Sequence, residues 1–441
     1  MTTNPVINRL CFSLAFVGES PTIFPADCKE SRGVWTLGVK YWVAREFVFA
    51  DEDVLFPPSE PIQERHAKMP LSWVEIDLAA LRHNYLQARQ RLAGSTQVLA
   101  VVKSDAYGHG MVPVARELVA AGVEFLGVSK FWEAVTLRDH GIDLPILVLL
   151  GVEPPDMEDA IRLGLHPVVY RLDQARLLSR QACRMQRPVG VHIKVDTGMG
   201  RLGVPWDQVP AFLEAFLGLP GIELQGVLSH FAVADDVDKS FSEWQLGRFR
   251  QVLALLEERG RTVRYAHIAN SAGLLDLTGS HLQLVRPGLM LYGSPPSAIL
   301  HGPIKLRPVM SFKSRVIQIK QVQPGDTIGY GRTHVVAKPS RIATIPVGYD
   351  DGYNRLLSNR GQVLIGGQRA PVVGRVSMNM ITVDVSHIPD AREDDEVVLL
   401  GIQGEERISA EEIADWCDTI SYEILCNVGH HHFKRFLHAT A

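Results

Sequence analysis

Short apolar runs alternate with longer segments of helical periodicity from Trp73 to about residue 305, and this alternation constrains the fold more than any other feature. The segments between the runs, such as residues 81–89, are long enough to form helices. Strand and helix in alternation over roughly 230 residues predict parallel βα units in an α/β fold, the eight-fold (β/α)8 TIM-like barrel. The runs cover residues 74–78, 98–102, 125–128, 146–150, 167–170, 191–195, 224–228, 265–268 and 284–285.

Near Leu306 the pattern changes to short strand-like runs separated by Pro, Gly and Asp, which is typical of turns. We therefore predict a mostly-β C-terminal domain over residues 306–441 after a barrel over residues 69–305. One helical segment is expected within the β domain, at about residues 409–417. The predicted strands of this domain include residues 314–320, 342–345, 363–365, 381–385 and 397–400.

Residues 1–68 are unlike the rest of the chain. The apolar run at residues 10–17 resembles a signal-peptide core, but only Arg9 precedes it and no clear small-residue cleavage site follows. A proline-containing and then charged stretch leads to Met69. We predict a poorly ordered extension, with Met69 opening the folded protein; a secretory signal is the alternative interpretation.

Composition excludes several classes of function. The formal net charge of −4 and the lack of a basic stripe argue against a nucleic-acid partner. No apolar stretch in the sequence is long enough to span a bilayer. The five cysteines are scattered without a CxxC pair, which favours a reducing, cytoplasmic location.

Polar residues gather where the predicted barrel strands end, and in this fold the chemistry lies at those ends. Lys103 follows an apolar run and precedes a glycine-containing turn, which is how a buried strand presents an amine for Schiff-base chemistry. A lysine that merely ends a strand is the alternative. The other residues of this set are Tyr107, Lys194, Asp196, Thr197, Arg201, His230, Asn270, Ser271, Arg286 and Gly288.

Seven strings in order resemble the signatures of alanine racemases, and together they span residues 70–430. The first resembles that family's pyridoxal-phosphate attachment motif; the strings are residues 101–110, 194–203, 229–232, 269–272, 285–288, 329–333 and 377–380. The resemblance implies pyridoxal 5'-phosphate as cofactor and racemisation of L- and D-alanine for cell-wall precursors. It also implies a homodimer in which the β domain of one subunit completes the other's site, and a first strand, near residues 73–76, that pairs with the β domain.

By the same resemblance, Lys103 holds the cofactor and acts as one base, and Tyr330 is the other base on the opposite face of the substrate. Arg286 would face the pyridine nitrogen, and His230 would lie between Arg286 and Tyr330. An always-charged guanidinium has no acceptor, so that nitrogen would stay unprotonated. The implied phosphate cradle and its support are Tyr107, Asn270, Ser271, Gly288, Leu289 and Tyr422.

For the substrate, Arg201 would bind the carboxylate, and Met378 would contribute a backbone amide from the partner subunit. Lys194 would support Arg201, either as a carbamylated lysine or as an ordinary lysine paired with an acid. Asn379 stands where many relatives have aspartate. Each of these residues also has a structural alternative, such as a turn tyrosine for Tyr330 or a hydrogen-bonded histidine for His230.

Three consecutive histidines at residues 430–432 invite a metal interpretation. Neighbours in sequence point in different directions and no thiol or carboxylate has ligand spacing, so we predict a surface cluster and no metal. A broad-specificity amino-acid racemase remains open on the same fold, whereas a barrel-type decarboxylase is disfavoured because Tyr330 and the string at residues 196–203 match the racemase pattern. A non-catalytic cofactor-binding protein is disfavoured because the β domain carries Tyr330.

Overall fold

The computed structural model describes residues 70–297 and 304–437. The predicted extension of residues 1–68 lies outside the described residues. The first described strand, β1 (Ser72–Asp77), leads directly into a helix that begins at Leu78. Asp77 caps this helix, because its Oδ1 accepts the backbone N–H of Ala80 at 2.9 Å.

Eight parallel strands form the predicted barrel, so the expected fold class is confirmed. The last of them pairs with the first, Leu284 lying opposite Gln97, but makes no sheet pairing with the strand before it, so the barrel is nearly closed. The apolar runs are buried on both faces, as parallel strands covered by helices require. In chain order the strands are β2 (Gln97–Val101), β3 (Phe125–Val128), β4 (Ile146–Val148), β5 (His166–Val169), β6 (Val189–Asp196), the short β7 (Val204–Pro205) beside β6, β8 (Ile222–Leu228), β9 (Tyr265–His267) and β10 (Leu284–Val285).

The helices follow the strands in the order that a βα barrel requires. They are α1 (Leu78–Arg89), α2 (Met111–Ala120), α3 (Phe131–Asp139), α4 (Met157–Arg162), α5 (Leu172–Arg184), α6 (Val209–Phe216), α7 (Ser240–Glu258) and α8 (Ser271–Asp276). Within residues 70–297 and 304–437, no helix combines the length and the apolar character needed to cross a membrane.

The second domain is built on a seven-stranded sheet, and β1 belongs to it rather than to the barrel. β1 pairs antiparallel with the first strand of this domain, Trp73 lying opposite Lys313, which is the pairing that the resemblance implied. The strands after β10 belong to this sheet, to a three-stranded sheet or to a two-stranded sheet. They are β11 (Met310–Arg315), β12 (Gln318–Val322), β13 (Thr327–Ile328), β14 (His334–Val335), β15 (Ser340–Ile345), β16 (Gln362–Ile365), β17 (Gln368–Pro371), β18 (Ile381–Asp384), β19 (Glu396–Gln403), β20 (Glu406–Ile408) and β21 (Lys434–Leu437).

The prediction of a single helix in the β domain was wrong, because two helices are present, α9 (Ala410–Cys417) and α10 (Ser421–His431). The second contains Gly429 and ends in histidines, which are weak helix formers. Packing stabilises it instead: a Cβ on Gly429 would lie 2.1 Å from the carbonyl oxygen of Gly108. The backbone of α10 therefore lies directly against the barrel segment that follows Lys103.

Candidate active site

A cavity of about 740 Å³ opens at the carboxyl ends of the barrel strands and contains most of the residues predicted from the sequence. Eleven of the thirteen residues to which the resemblance gave a role line it: Lys103, Tyr107, Lys194, Arg201, His230, Asn270, Ser271, Arg286, Gly288, Leu289 and Tyr422. The other two, Tyr330 and Met378, lie outside the cavity on the β domain, with 72% and 54% of their surface exposed. One chain thus assembles the barrel half of the predicted site and leaves the remaining two residues facing outward.

The segment Ser104–Tyr107, which follows β2 and Lys103, is a single turn of left-handed backbone. A left-handed conformation costs an L-residue about 1–2 kcal/mol, so contacts from outside the turn have to stabilise it. Gly108 continues the turn at φ 83°, a region that favours glycine. The sequence indicated a turn here but not its hand, since four successive residues with side chains have positive φ: Ser104 at 54°, Asp105 at 52°, Ala106 at 54° and Tyr107 at 55°.

The amine of Lys103 lies in a partly buried, cation-rich environment. Burial lowers the pKa of Lys103 and the charge of Arg201 lowers it further, while Glu133 and Cys426 act in the opposite direction. A lysine becomes a useful nucleophile and base only when a substantial fraction of it is neutral. The environment therefore favours the amine chemistry that the sequence predicted.

Arg286 is a buried cation whose hydrogen-bond acceptors are all uncharged. Its Nη1 donates to His267 Nδ1 at 2.9 Å, and its Nη2 donates to His230 Nδ1 at 3.2 Å. The same Nη2 also donates to the carbonyl oxygens of Ser229 (2.6 Å) and Ile268 (3.1 Å). Burial lowers the pKa of Arg286 to about 9, so its positive charge persists at neutral pH.

Two further histidines, neither of them predicted from the sequence, continue this chain of hydrogen bonds into the barrel. His267 accepts from Arg286 through Nδ1, so its Nε2 carries the proton and donates to His192 Nδ1 at 2.9 Å. Burial and the charge of Arg286 hold the pKa values of His192 and His267 well below the ordinary range. Strand alternation could have revealed His192, since it lies two residues before Lys194 and therefore on the same inward face of β6.

The predicted phosphate cradle brings hydroxyl and amide groups together around Gly288. Ser271 Oγ accepts the backbone N–H of Gly288 at 3.0 Å and that of Met290 at 3.4 Å. A Cβ at Gly288 would lie 2.5 Å from Tyr107 Oη, so the hydroxyl approaches the backbone at a point that a side chain would fill. The ring of Tyr422 lies 5.8 Å from that of Tyr107. These donors fit a phosphate-bearing cofactor.

Asn270 supports this cradle rather than reaching into it. Its Oδ1 accepts the backbone N–H of Gly273 at 2.9 Å and so caps α8, the helix that begins with Ser271. The position of the Ser271 hydroxyl is therefore coupled to the Asn270 cap.

The loop that carries Arg201 is shaped by Asp196, which ends β6. Asp196 Oδ1 accepts the backbone N–H groups of Gly198 (2.9 Å) and Gly200 (3.1 Å). Lys194 lies two residues earlier on the strand and is buried. Burial and the charges of Arg286 and Arg201 lower the pKa of Lys194 to about 7. A substantial fraction of this amine is therefore neutral at physiological pH.

Gln245 on α7 is a third supporting residue, after His192 and His267, that was not predicted from the sequence. Its Oε1 accepts the backbone N–H of Ala232 at 2.9 Å, and its Nε2 donates to the carbonyl oxygen of His230 at 3.1 Å and to Thr197 Oγ1 at 3.4 Å. Thr197 Oγ1 also lies 2.8 Å from Ser229 Oγ. One buried amide therefore links the loop of His230 to the loop of Arg201.

The three histidines near the chain end do not form a metal site. His430 and His431 are exposed, and His432 bonds through Nε2 to the carbonyl oxygen of Asp351 at 2.7 Å. In the described part of the chain, no group of three or more His, Cys, Asp or Glu side chains could hold a metal ion.

Asn379, the departure from the usual aspartate, donates through Nδ2 to Asp350 Oδ2 at 3.3 Å.

Comparison with known proteins identifies the family. The model of the alanine racemase N-terminal domain matches residues 76–296, and that of the alanine racemase C-terminal domain matches residues 309–436. An alanine racemase of Syntrophobacter fumaroxidans is 65% identical over 373 residues, which cover 85% of this chain and 99% of that protein. One from Halothermothrix orenii is 46% identical over 81% of this chain and 94% of that protein.

Solved structures of alanine racemases are also similar to this chain. The alanine racemase of Clostridium difficile 630 has a TM-score of 0.79 at 35% identity, covering 84% of this chain and 97% of that one. The alanine racemase of Bacillus anthracis with bound L-Ala-P has a TM-score of 0.78 at 36% identity, covering 84% and 96%. These matches confirm the predicted fold, the predicted isomerase activity on alanine and the predicted pyridoxal-phosphate cofactor. The chain belongs to the alanine racemase family.

Proposed function

We propose that this racemase moves the α-proton of alanine with two proton carriers, Lys103 and Tyr330, which come from two copies of the chain. The observation that carries the proposal is the division of the predicted site: eleven residues line one barrel cavity, and Tyr330 and Met378 face outward on the β domain. A second copy that presented its β domain to the cavity would supply both missing residues. The proposed assembly is accordingly a homodimer with shared sites.

Two carriers are needed because a single base tends to return the proton to the face it came from. The Lys103 amine serves one face of the α-carbon, and burial and Arg201 lower its pKa, which raises the fraction of neutral amine able to accept a proton. The Tyr330 hydroxyl serves the other face. When bound, pyridoxal phosphate supplies the electron sink for the charge left on the α-carbon. The residues of this chain that would hold pyridoxal phosphate are Lys103, Tyr107, His230, Asn270, Ser271, Arg286, Gly288, Leu289 and Tyr422.

Arg201 binds the substrate carboxylate, and Lys194 orients it. A neutral Lys194 amine can attack carbon dioxide, forming an N–C bond and releasing one proton, and the product is a carbamate anion. The pKa of about 7 supports this reaction, and the surrounding cations Arg286, Arg201 and Lys103 favour the anion once it has formed. Met378 contributes its backbone N–H to the substrate from the second copy.

The mouth of the cavity supports the proposed dimer. Leu150 and Ile420 line the cavity and are exposed apolar side chains at its opening. Contact with a second copy would remove them from water together with Met378.

The proposed reaction involves neither a nucleic acid nor a membrane, and the scattered cysteines support a cytoplasmic location.

The proposal is tested by incubating the protein with each L-amino acid in D2O, while α-proton exchange and optical rotation are followed. We expect exchange and loss of rotation with alanine. Exchange with many amino acids would favour the broad-specificity racemase, and colour without any exchange would favour the non-catalytic cofactor carrier. Lys103→Ala should abolish the yellow colour of the bound cofactor. Tyr330→Phe should retain the colour and lose turnover, most severely from L-alanine.

A further inference from the structure

Glu133 is a buried carboxylate that connects two loops at the edge of the cavity. Its Oε1 accepts the backbone N–H of Ser104 at 2.5 Å. Its Oε2 accepts the backbone N–H groups of Ser129 and Lys130, at 2.8 and 2.9 Å. The first of these donors belongs to the turn that carries Lys103, and the other two belong to the loop after β3. Three hydrogen bonds to one buried carboxylate make this a strongly constrained contact.

Helix capping explains only half of this arrangement. Glu133 is the third residue of α3, and a glutamate there commonly accepts backbone N–H groups just before its own helix. The bonds from Ser129 and Lys130 to Oε2 satisfy that role. The bond from Ser104 to Oε1 reaches a different βα unit, so it contributes nothing to the cap of α3. Capping therefore does not explain this hydrogen bond.

The strain of the left-handed turn explains the hydrogen bond from Ser104 to Glu133. Its four residues with positive φ are each strained, and such strain persists only where the surroundings over-determine the conformation. On one side, α10 packs so closely that a Cβ on Gly108 would lie 2.6 Å from the carbonyl oxygen of Leu425. On the other side, Glu133 holds the first N–H of the turn. That N–H belongs to Ser104, and Lys103 is the residue directly before it.

We propose that Glu133 is a positioning residue for Lys103: its carboxylate fixes the left-handed turn after the lysine and is the anion that faces the amine. This inference rests on the proposed role of Lys103 and deepens it. The other charged or titratable groups around the amine are the cation Arg201, Lys194, which is cationic only before it forms its carbamate, His230, which is held neutral, and the thiol of Cys426. Burial and the charge of Arg201 lower the pKa of Lys103, and Glu133 raises it and so moderates their effect.

The test measures how fast the full-length chain, freed of cofactor, forms its coloured adduct with added pyridoxal phosphate at a series of pH values. Only a neutral lysine amine attacks the aldehyde, so the midpoint of the rate profile reports the protonation of Lys103. We expect Glu133→Gln to move the midpoint to lower pH by about one pH unit, the lower end of what a nearby opposite charge produces. The limiting rate should also fall, because the amide cannot accept all three N–H groups.

Two further variants separate positioning from stability. Glu133→Asp keeps the charge but is shorter by one methylene, so it should retain the wild-type midpoint and show a lower limiting rate. Glu124→Gln is the matched control: Glu124 Oε2 accepts the backbone N–H of Val98 at 3.0 Å, at the other end of β2. This control should leave both the midpoint and the limiting rate unchanged.

An unchanged midpoint in folded Glu133→Gln, verified by circular dichroism and gel filtration, would overturn the inference. If Glu133→Gln does not fold, Glu133→Asp decides: a limiting rate equal to that of the wild type would show that the carboxylate does not position the turn. Failure of the proposed function itself has a different signature. In that case the wild type would form no more adduct than Lys103→Ala, whatever residue stands at position 133.

Discussion

Acidification from about pH 6.5 to about pH 5 is expected to destabilise the fold, because the barrel interior keeps three histidines neutral. Burial holds the pKa values of His192, His230 and His267 well below the ordinary 6.5, and the charge of Arg286 lowers all three further. In the unfolded chain these histidines take up protons as the pH falls through 6.5. The unfolded state therefore binds more protons, and the free energy of unfolding decreases as the pH falls.

The size of the effect follows from the number of histidines. At about pH 5 an unfolded histidine is almost fully protonated, so each of the three contributes a slope of nearly 1.4 kcal/mol per pH unit. Integrated from about pH 6.5 to about pH 5, each contributes about 1.6 kcal/mol and the three together about 5 kcal/mol. His109 and His166, whose pKa values fall to about 4 on burial, act in the same direction. Carboxylates titrate mainly below this window.

Denaturant unfolding of the full chain at several pH values measures this slope. His192→Gln removes one of the three titrating groups, and its amide oxygen can still accept the Nε2–H of His267. We expect the slope of this variant at about pH 5 to be lower by about 1.4 kcal/mol per pH unit. A free energy of unfolding that stays constant between pH 6.5 and pH 5, or a slope that His192→Gln does not change, would refute the reasoning.

Three other variants, the last of them with a matched control, test separate parts of the site. Arg286→Glu should let the pyridine nitrogen hold a proton and raise the amount of aminated cofactor formed per turnover, measured by absorbance; an unchanged partition would contradict the role of Arg286. Lys194→Ala should remove a carbamate carbon resonance that protein equilibrated with carbon-13 dioxide shows, and should raise the KM for alanine. Gln245→Leu leaves the Ala232 N–H and the His230 carbonyl unpaired, so it should cost about 2 kcal/mol or more of unfolding free energy. Gln174→Leu, at a buried glutamine whose Oε1 has no hydrogen-bond partner among the described residues, should cost less.

The sequence predicted the barrel well because buried parallel strands have an unmistakable apolar pattern between helical segments. It missed α10, whose residues have weak helix propensity and whose stability comes from packing against Gly108. It could not predict the left-handed turn after Lys103, because the local preference of Ser104 and its neighbours opposes that conformation.

The supporting residues of the site differ in how far they could have been found. His192 lies on the inward face of a predicted strand, so alternation was a usable signal. Glu133 and Gln245 carried no such signal, because their partners Ser104 and Thr197 lie 29 and 48 residues away in the chain. Only the folded barrel brings these groups together.

The central claim is that Lys103 and Tyr330 of two different copies form one site, and mixing two inactive variants tests it most directly. Lys103→Ala and Tyr330→Phe are unfolded together, refolded in equal amounts and assayed for alanine racemisation against each variant alone. A mixed dimer has one site with both intact residues and one with neither, so random pairing restores about a quarter of the wild-type activity. If the two residues act within one chain, the mixture stays as inactive as its components, and that result would contradict the account.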